Sequence, residues 1–252
     1  MQHKLIIGLL ALSGLVTAQD RGARGVPGHG VIDMPGNYVL MNEASLRSTG
    51  AAILITASNV SLDLNGNTVM GPGGRIGTGI HIRGASGVRV GNGNIVNFAF
   101  GAIVENSNNV VLSGLQIRGE GLAVAAPPPE TAIMIVQSRN VVVESNAIYN
   151  VGLGIFVRGG RSGGNRIANN TVTGGTNAAL GICYNPTETD SNGPRGDLVY
   201  ANLVSGFNVG IQMSQNSVAT VVKENTIAYR TMAVDFKNVT NLDLDNTKVQ
   251  LP

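Results

Sequence analysis

Along most of the chain, apolar and polar residues alternate at period two, and the alternation restarts after a small residue at regular intervals. The restarts read Gly79-Ile80-His81-Ile82, Ala132-Ile133-Met134-Ile135, Gly154-Ile155-Phe156-Val157 and Gly210-Ile211-Gln212-Met213. A second short apolar segment follows, introduced by asparagine: Asn67-Thr68-Val69, Asn146-Ala147-Ile148, Asn170-Thr171-Val172, Asn202-Leu203-Val204 and Asn225-Thr226-Ile227. Taking the small residue as the start, eight units begin at Ala52, Gly79, Gly101, Ala132, Gly154, Ala179, Gly210 and Ala233. Units of about 20 to 50 residues predict a solenoid. No stretch sustains a 3.6-residue period over a helical length, so each unit is strand, turn, strand, turn.

Successive side chains of a strand point to opposite faces, so the alternation separates core from surface. In the first strand of each unit, Ile80 and Ile82, Ala102 and Val104, Ile133 and Ile135, Ile155 and Val157, Leu180 and Ile182, Ile211 and Met213, and Val234 and Phe236 face inward. The outward set is His81 and Arg83, Ile103 and Glu105, Met134 and Val136, Phe156 and Arg158, Gly181 and Cys183, Gln212 and Ser214, and Asp235 and Lys237. Stacked coils put equivalent asparagines about 4.8 Å apart, close enough for an amide ladder. Gly93 and Leu115 replace asparagine in two coils and interrupt it.

Composition narrows the class. The 35 glycines, the absence of tryptophan and 13% charged residues suit short strands joined by tight turns. Residues 1–18 have the form of a secretory signal peptide, with Lys4 before an apolar core and Val16-Thr17-Ala18 as the cleavage site. The expected location is therefore secreted or periplasmic, and no later segment is long enough to be read as a membrane span. Residues 19–30 read as a flexible leader, 31–51 as an N-terminal cap region and 52–249 as the repeat. Without Lys4 the 17 basic residues become 16 against 15 acids, which gives no reason to expect nucleic acid as a partner. A single cysteine, Cys183, rules out an internal disulfide.

From Ala52 to Val249 the chain resembles the right-handed parallel β-helix proteins of the pectate-lyase-like superfamily. The resemblance implies an all-β, single-stranded right-handed parallel β-helix of about eight coils. That superfamily includes polysaccharide lyases, hydrolases, epimerases, tailspikes, adhesins and non-enzymatic secreted proteins, so fold alone does not select an activity. Neither the hydrolase pairing of aspartates with His-Gly, the Asp-Pro-His-Glu of the mannuronan epimerases, nor a tryptophan-containing pectate lyase motif is present. No family catalytic residue is carried over.

Candidate chemistry rests on the outward face of the first strand column. Insertions at 70–78, 118–131 and 183–196 border that column and are expected to wall a groove. Its floor is apolar: Ile103, Met134, Val136 and Phe156, with Gln212 further along, form the candidate substrate-binding set. A Pro-rich stretch, Ala125-Ala126-Pro127-Pro128-Pro129, is expected above it. Removing the proton α to a uronate carboxylate needs a base and a cation or acid for the enolate-like intermediate. His81 or Tyr184 suits the first role, Arg83 or Arg158 the second, and Glu105 is expected to pair with Arg83 in the next coil. Arg158 beside Cys183 would lower the thiol pKa. No metal or cofactor is assigned, although Glu188, Asp190 and Asp197 form an acidic loop suited to calcium. The expected partner is a glycan or a small molecule, with homo-oligomers formed through the open last coil.

These residues support a secreted carbohydrate-active protein of lyase or epimerase type. The alternatives are a non-catalytic binding or surface protein, and an acid-base enzyme acting on a small apolar molecule in the groove.

Overall fold

The computed structural model describes residues 23–26, 30–121, 130–184, 193–237 and 240–252. The signal peptide at 1–18 lies outside the described residues, as do 19–22 of the leader, the Pro-rich stretch at 125–129 and the loop at 185–192. Every strand pairing is parallel, and the chain winds into a right-handed β-solenoid of about eight turns with no helix among the described residues.

Three ladders run down the stack. The first contains Ala51–Ile55, Thr78–Arg83, Phe100–Glu105, Thr131–Val136, Leu153–Arg158 and Leu180–Tyr184, continued by the second halves of Leu203–Met213 and Thr226–Phe236. The second passes through Val60–Asp63, Val142–Glu144, Arg166–Ala168, Leu198–Tyr200 and Val221–Lys223. Ala147–Val151 and Thr171–Gly174 belong to the third. Residues read as leader and cap join this stack: Arg24–Val26 pairs with Gly36–Leu40, and Gly30–Ile32 pairs with Ala51–Ile55.

Corners between ladders need a left-handed residue, which asparagine and glycine tolerate best. One corner column holds Asn59, Asn109 and Asn140, with φ of 56°, 53° and 52°, together with Gly87, Gly164 and Gly196, and ends in a left-handed alanine, Ala219, with φ of 56°. The inward residues named from alternation, Ile80, Ile82, Val104, Ile133, Ile135, Ile155 and Val157, are fully buried and form one continuous core.

Coil six departs from the expected register. Ile182 pairs with Ile155 and Ile211, and Tyr184 pairs with Val157, so the unit starts at Gly181 rather than Ala179. Crowding at this position favours Gly181 over Ala179, because a Cβ on residue 181 would stand 2.4 Å from Val204 Cγ1 and 2.5 Å from the Gly210 carbonyl oxygen. The inward pair of coil six is therefore Ile182 and Tyr184.

The asparagine ladder forms from Asn146 onward and is buried. The backbone N and the Nδ2 of Asn146 both donate to Oδ1 of Asn170, each at 3.0 Å. Asn170 repeats the pattern onto Asn202, Asn202 onto Asn225, and Asn225 onto Asn246. Leu115 ends it by donating its N–H to Oδ1 of Asn146 at 2.9 Å. On the far side of the interruption Asn67 turns its Nδ2 to the Leu40 carbonyl instead, at 2.7 Å.

Candidate functional site

The outer face of the first ladder presents a middle column of Leu54, His81, Ile103, Met134, Phe156, Cys183, Gln212 and Asp235 in register. Beside it run Arg83, Glu105, Val136 and Arg158. Ile103, Met134, Val136 and Phe156 are all partly buried and adjoin over coils three to five, while Leu54 in coil one is separated from them by His81.

His81 and Glu105 meet on this face. His81 Nε2 lies 3.0 Å from Glu105 Oε2, and the two side chains remain 20% and 34% exposed, so a dissolved molecule can reach both. Glu105 was expected to pair with Arg83. The two are in register, yet the carboxylate reaches diagonally to the histidine and Arg83 stays exposed at its side. A carboxylate only accepts hydrogen bonds, so Nε2 is the donor in this contact, and in the neutral imidazole the lone pair then sits on Nδ1.

Tyr184 does not belong to the face. Its register with Val157 turns it into the core, where it is fully buried. Burial first, then the neighbouring Asp197, pushes its hydroxyl pKa well above the ordinary 10. The hydroxyl approaches Asp197 without forming a hydrogen bond of ordinary geometry. A surface base at Tyr184 is therefore excluded by its direction in the strand. Cys183 occupies the outward register, but opposite Phe156 rather than Arg158, and it is buried. Burial raises its thiol pKa, the reverse of the expected lowering.

Gln212 is held away from the floor by donating to Asp235 Oδ2 at 3.0 Å, while Lys237 pairs with Asp235 Oδ1 at 2.8 Å. Burial pushes the Asp235 carboxyl up, and these two partners outweigh it, leaving the pKa below the ordinary 3.8. Arg158 is exposed beside Val136. Of the three insertions, the first is clasped to the second at the corner before the face: Gly74 N donates to Glu120 Oε2 at 3.1 Å, and the buried Glu130 accepts from the N–H groups of Glu120 and Gly121. Glu188 and Asp190 of the acidic loop lie outside the described residues. Asp197 is buried and accepts from the N and Nδ2 of Asn165 at 2.9 and 3.1 Å, which takes it out of any loop calcium site.

Sequence reasoning passed over one charged feature. Arg139, Gly163 and Arg195 are bridged in consecutive coils at the corner after the first ladder. The available signal was an arginine directly before the left-handed corner residue, in Arg139-Asn140 and Arg195-Gly196.

Residues 58–247 match the model of a family described as periplasmic copper-binding protein (NosD). The chain belongs to the NosD family. No curated protein matches it. Among solved structures it is similar to the Dettilon tailspike protein, with a TM-score of 0.60 and 16% identity over 90% of this chain and 54% of the tailspike. It thus spans about half of that protein's length. An alginate lyase from a Paenibacillus species matches with a TM-score of 0.57 and 12% identity, over 86% of this chain and 94% of the lyase. A Thermotoga maritima exopolygalacturonase matches with a TM-score of 0.54 and 11% identity, over 84% and 67%. These likenesses establish the fold, a right-handed parallel β-helix.

Copper, named in the NosD description, favours imidazole and sulfur ligands held together. Among the described residues no group of three His, Cys, Asp or Glu side chains is placed to hold a metal. His81 and Met134 share a column but stand two coils apart with Ile103 between them. Cys183 keeps its proton in the interior. The described donors do not fit a copper centre. No helix among the described residues is long and apolar enough to cross a membrane.

Proposed function

We propose that the chain is an exported NosD-family β-helix protein that binds a glycan along the outer face of the first ladder and abstracts a proton there. The observation that carries this reading is the partly exposed His81–Glu105 contact at 3.0 Å. His81 Nδ1 takes the proton α to a uronate carboxylate, and the released electron pair enters that carboxylate as an enolate-like dianion. Arg83, exposed beside Glu105, offers the positive charge for this intermediate. Collapse of the dianion forms a carbon–carbon double bond and expels the glycosidic oxygen β to the carboxylate, which takes up a proton. Glu105 stabilises the imidazolium in between. Ile103, Met134 and Phe156 supply an apolar floor for the sugar's own apolar face. An alginate lyase and an exopolygalacturonase share this fold, a setting that accommodates uronate polymers.

The test is incubation with uronic-acid and neutral polysaccharides, following unsaturated products by ultraviolet absorbance and reducing ends together. Unsaturated product is expected, lost in His81→Ala and slowed about 100-fold in Glu105→Gln. Absence of product from every polymer, or an unchanged rate in His81→Ala, overturns the catalytic part and leaves the apolar face as a binding surface.

A further inference from the structure

At the corner between the first and second ladders, Arg139, Gly163 and Arg195 follow one another in adjacent coils. Gly163 has no side chain, so the two arginines flank a notch of about 620 Å³, lined also by Asn140, Gly160 and Ser162. Two coil spacings separate the arginine backbones by about 10 Å. Both arginines are exposed, and among the described residues neither forms an ion pair with a carboxylate. Arg139 leans across the gap, donating from Nε to the carbonyl of Arg161 at 2.8 Å, which leaves its Nη groups free. Among the described residues the two cations stand over a glycine gap with no acid in the lining. The complement is a group with several oxygens sharing negative charge, which guanidinium recognises through paired N–H donors.

We propose that the Arg139–Gly163–Arg195 notch is a binding site for an oxyanion: a sulfate, phosphate or carboxylate group. The group arrives either as a free ion or attached to a polysaccharide. Arg158 lies in coil five of the adjoining face, so a polymer bound there would carry its charged substituents past this corner. The site is independent of the chemistry at His81 and stands or falls on its own.

The full chain at low ionic strength is titrated with inorganic sulfate, inorganic phosphate and heparin as a sulfated polysaccharide, by calorimetry and by the side-chain Nε–H resonances of arginine. Saturable binding is expected, with the Arg139 and Arg195 resonances moving, and with affinity falling as salt rises. Arg139→Gln and Arg195→Gln should each weaken binding about tenfold at an unchanged melting temperature, whereas His81→Ala leaves it intact. Binding of the inorganic ions identifies a free-ion site, and binding of heparin alone identifies a polymer-borne group; either supports the proposal. No saturable binding of any probe, or full affinity in the Arg139→Gln/Arg195→Gln double variant, overturns it.

Discussion

Asp197 keeps its carboxyl inside the stack, where burial raises its pKa from 3.8 to about 6, against the opposing hydrogen bonds from Asn165 and the nearby Tyr184 hydroxyl. Because the folded state holds this proton more tightly than the unfolded chain, the stability it contributes is complete below about pH 4. That contribution fades as pH rises to about 6 and is gone above it. Asparagine at this position can accept from Asn165 without carrying charge. Asp197→Asn should therefore flatten the pH dependence of the melting temperature between pH 4 and 7, and at neutral pH stabilise the fold by about 2 kcal/mol. A variant with the same slope as the parent would show that Asp197 is not the group responsible. Sequence patterning placed this residue in an acidic calcium-type loop because Asp197 stands among loop-like glycines and acids. Only the register reveals that it occupies the column of Val88, Val110, Val141 and Asn165 in earlier coils.

Ladders of identical side chains make each coil depend on its neighbours. Replacing Asn170 removes the acceptor of the buried Asn146 N–H, leaves Asn146 Nδ2 only the Leu112 carbonyl, and takes the Nδ2 donor away from the Val143 carbonyl and Asn202 Oδ1. Asn170→Leu should cost about 3 kcal/mol, read from urea unfolding, because several buried bonds are lost at once and the Asn146 N–H is left unsatisfied. An unchanged unfolding midpoint would mean that the ladder contributes nothing net. The existence of the coils, the strand faces, the ladder and its interruptions were all legible from alternation. What alternation does not resolve is a slip of two residues, which preserves which side faces in. Coil six offers small residues at both Ala179 and Gly181, and the slip misassigned Tyr184 to the surface. Pairing across coils was likewise illegible in detail: strand register places Arg83 opposite Glu105, while side-chain reach gives the carboxylate to His81. The arginine notch brings together residues 139 and 195, a juxtaposition that only coil stacking creates.

At the scale of the whole molecule, stability is distributed as a sum over neighbouring coils. The central coils contribute completely buried side chains, whereas Leu242–Leu244 and Thr247–Gln250 are exposed throughout. Amide hydrogen exchange should therefore be fastest over these last strands and slowest over coils three to six, in the order that burial sets. Uniform protection along the chain would mean that the stack opens as one unit. The asparagine column adds a sense of direction to this array. Between asparagine side chains every bond runs one way: the backbone N–H and one Nδ2 proton go to the Oδ1 of the following coil, while the other Nδ2 proton ties back to a backbone carbonyl of the preceding coil. A stack built only as far as Asn170 ends in a pair of unmet donors, a socket that the oxygen of Asn202 fills. The chain thus carries its own template for vectorial growth, each finished rung recruiting the next in the order in which a ribosome delivers them.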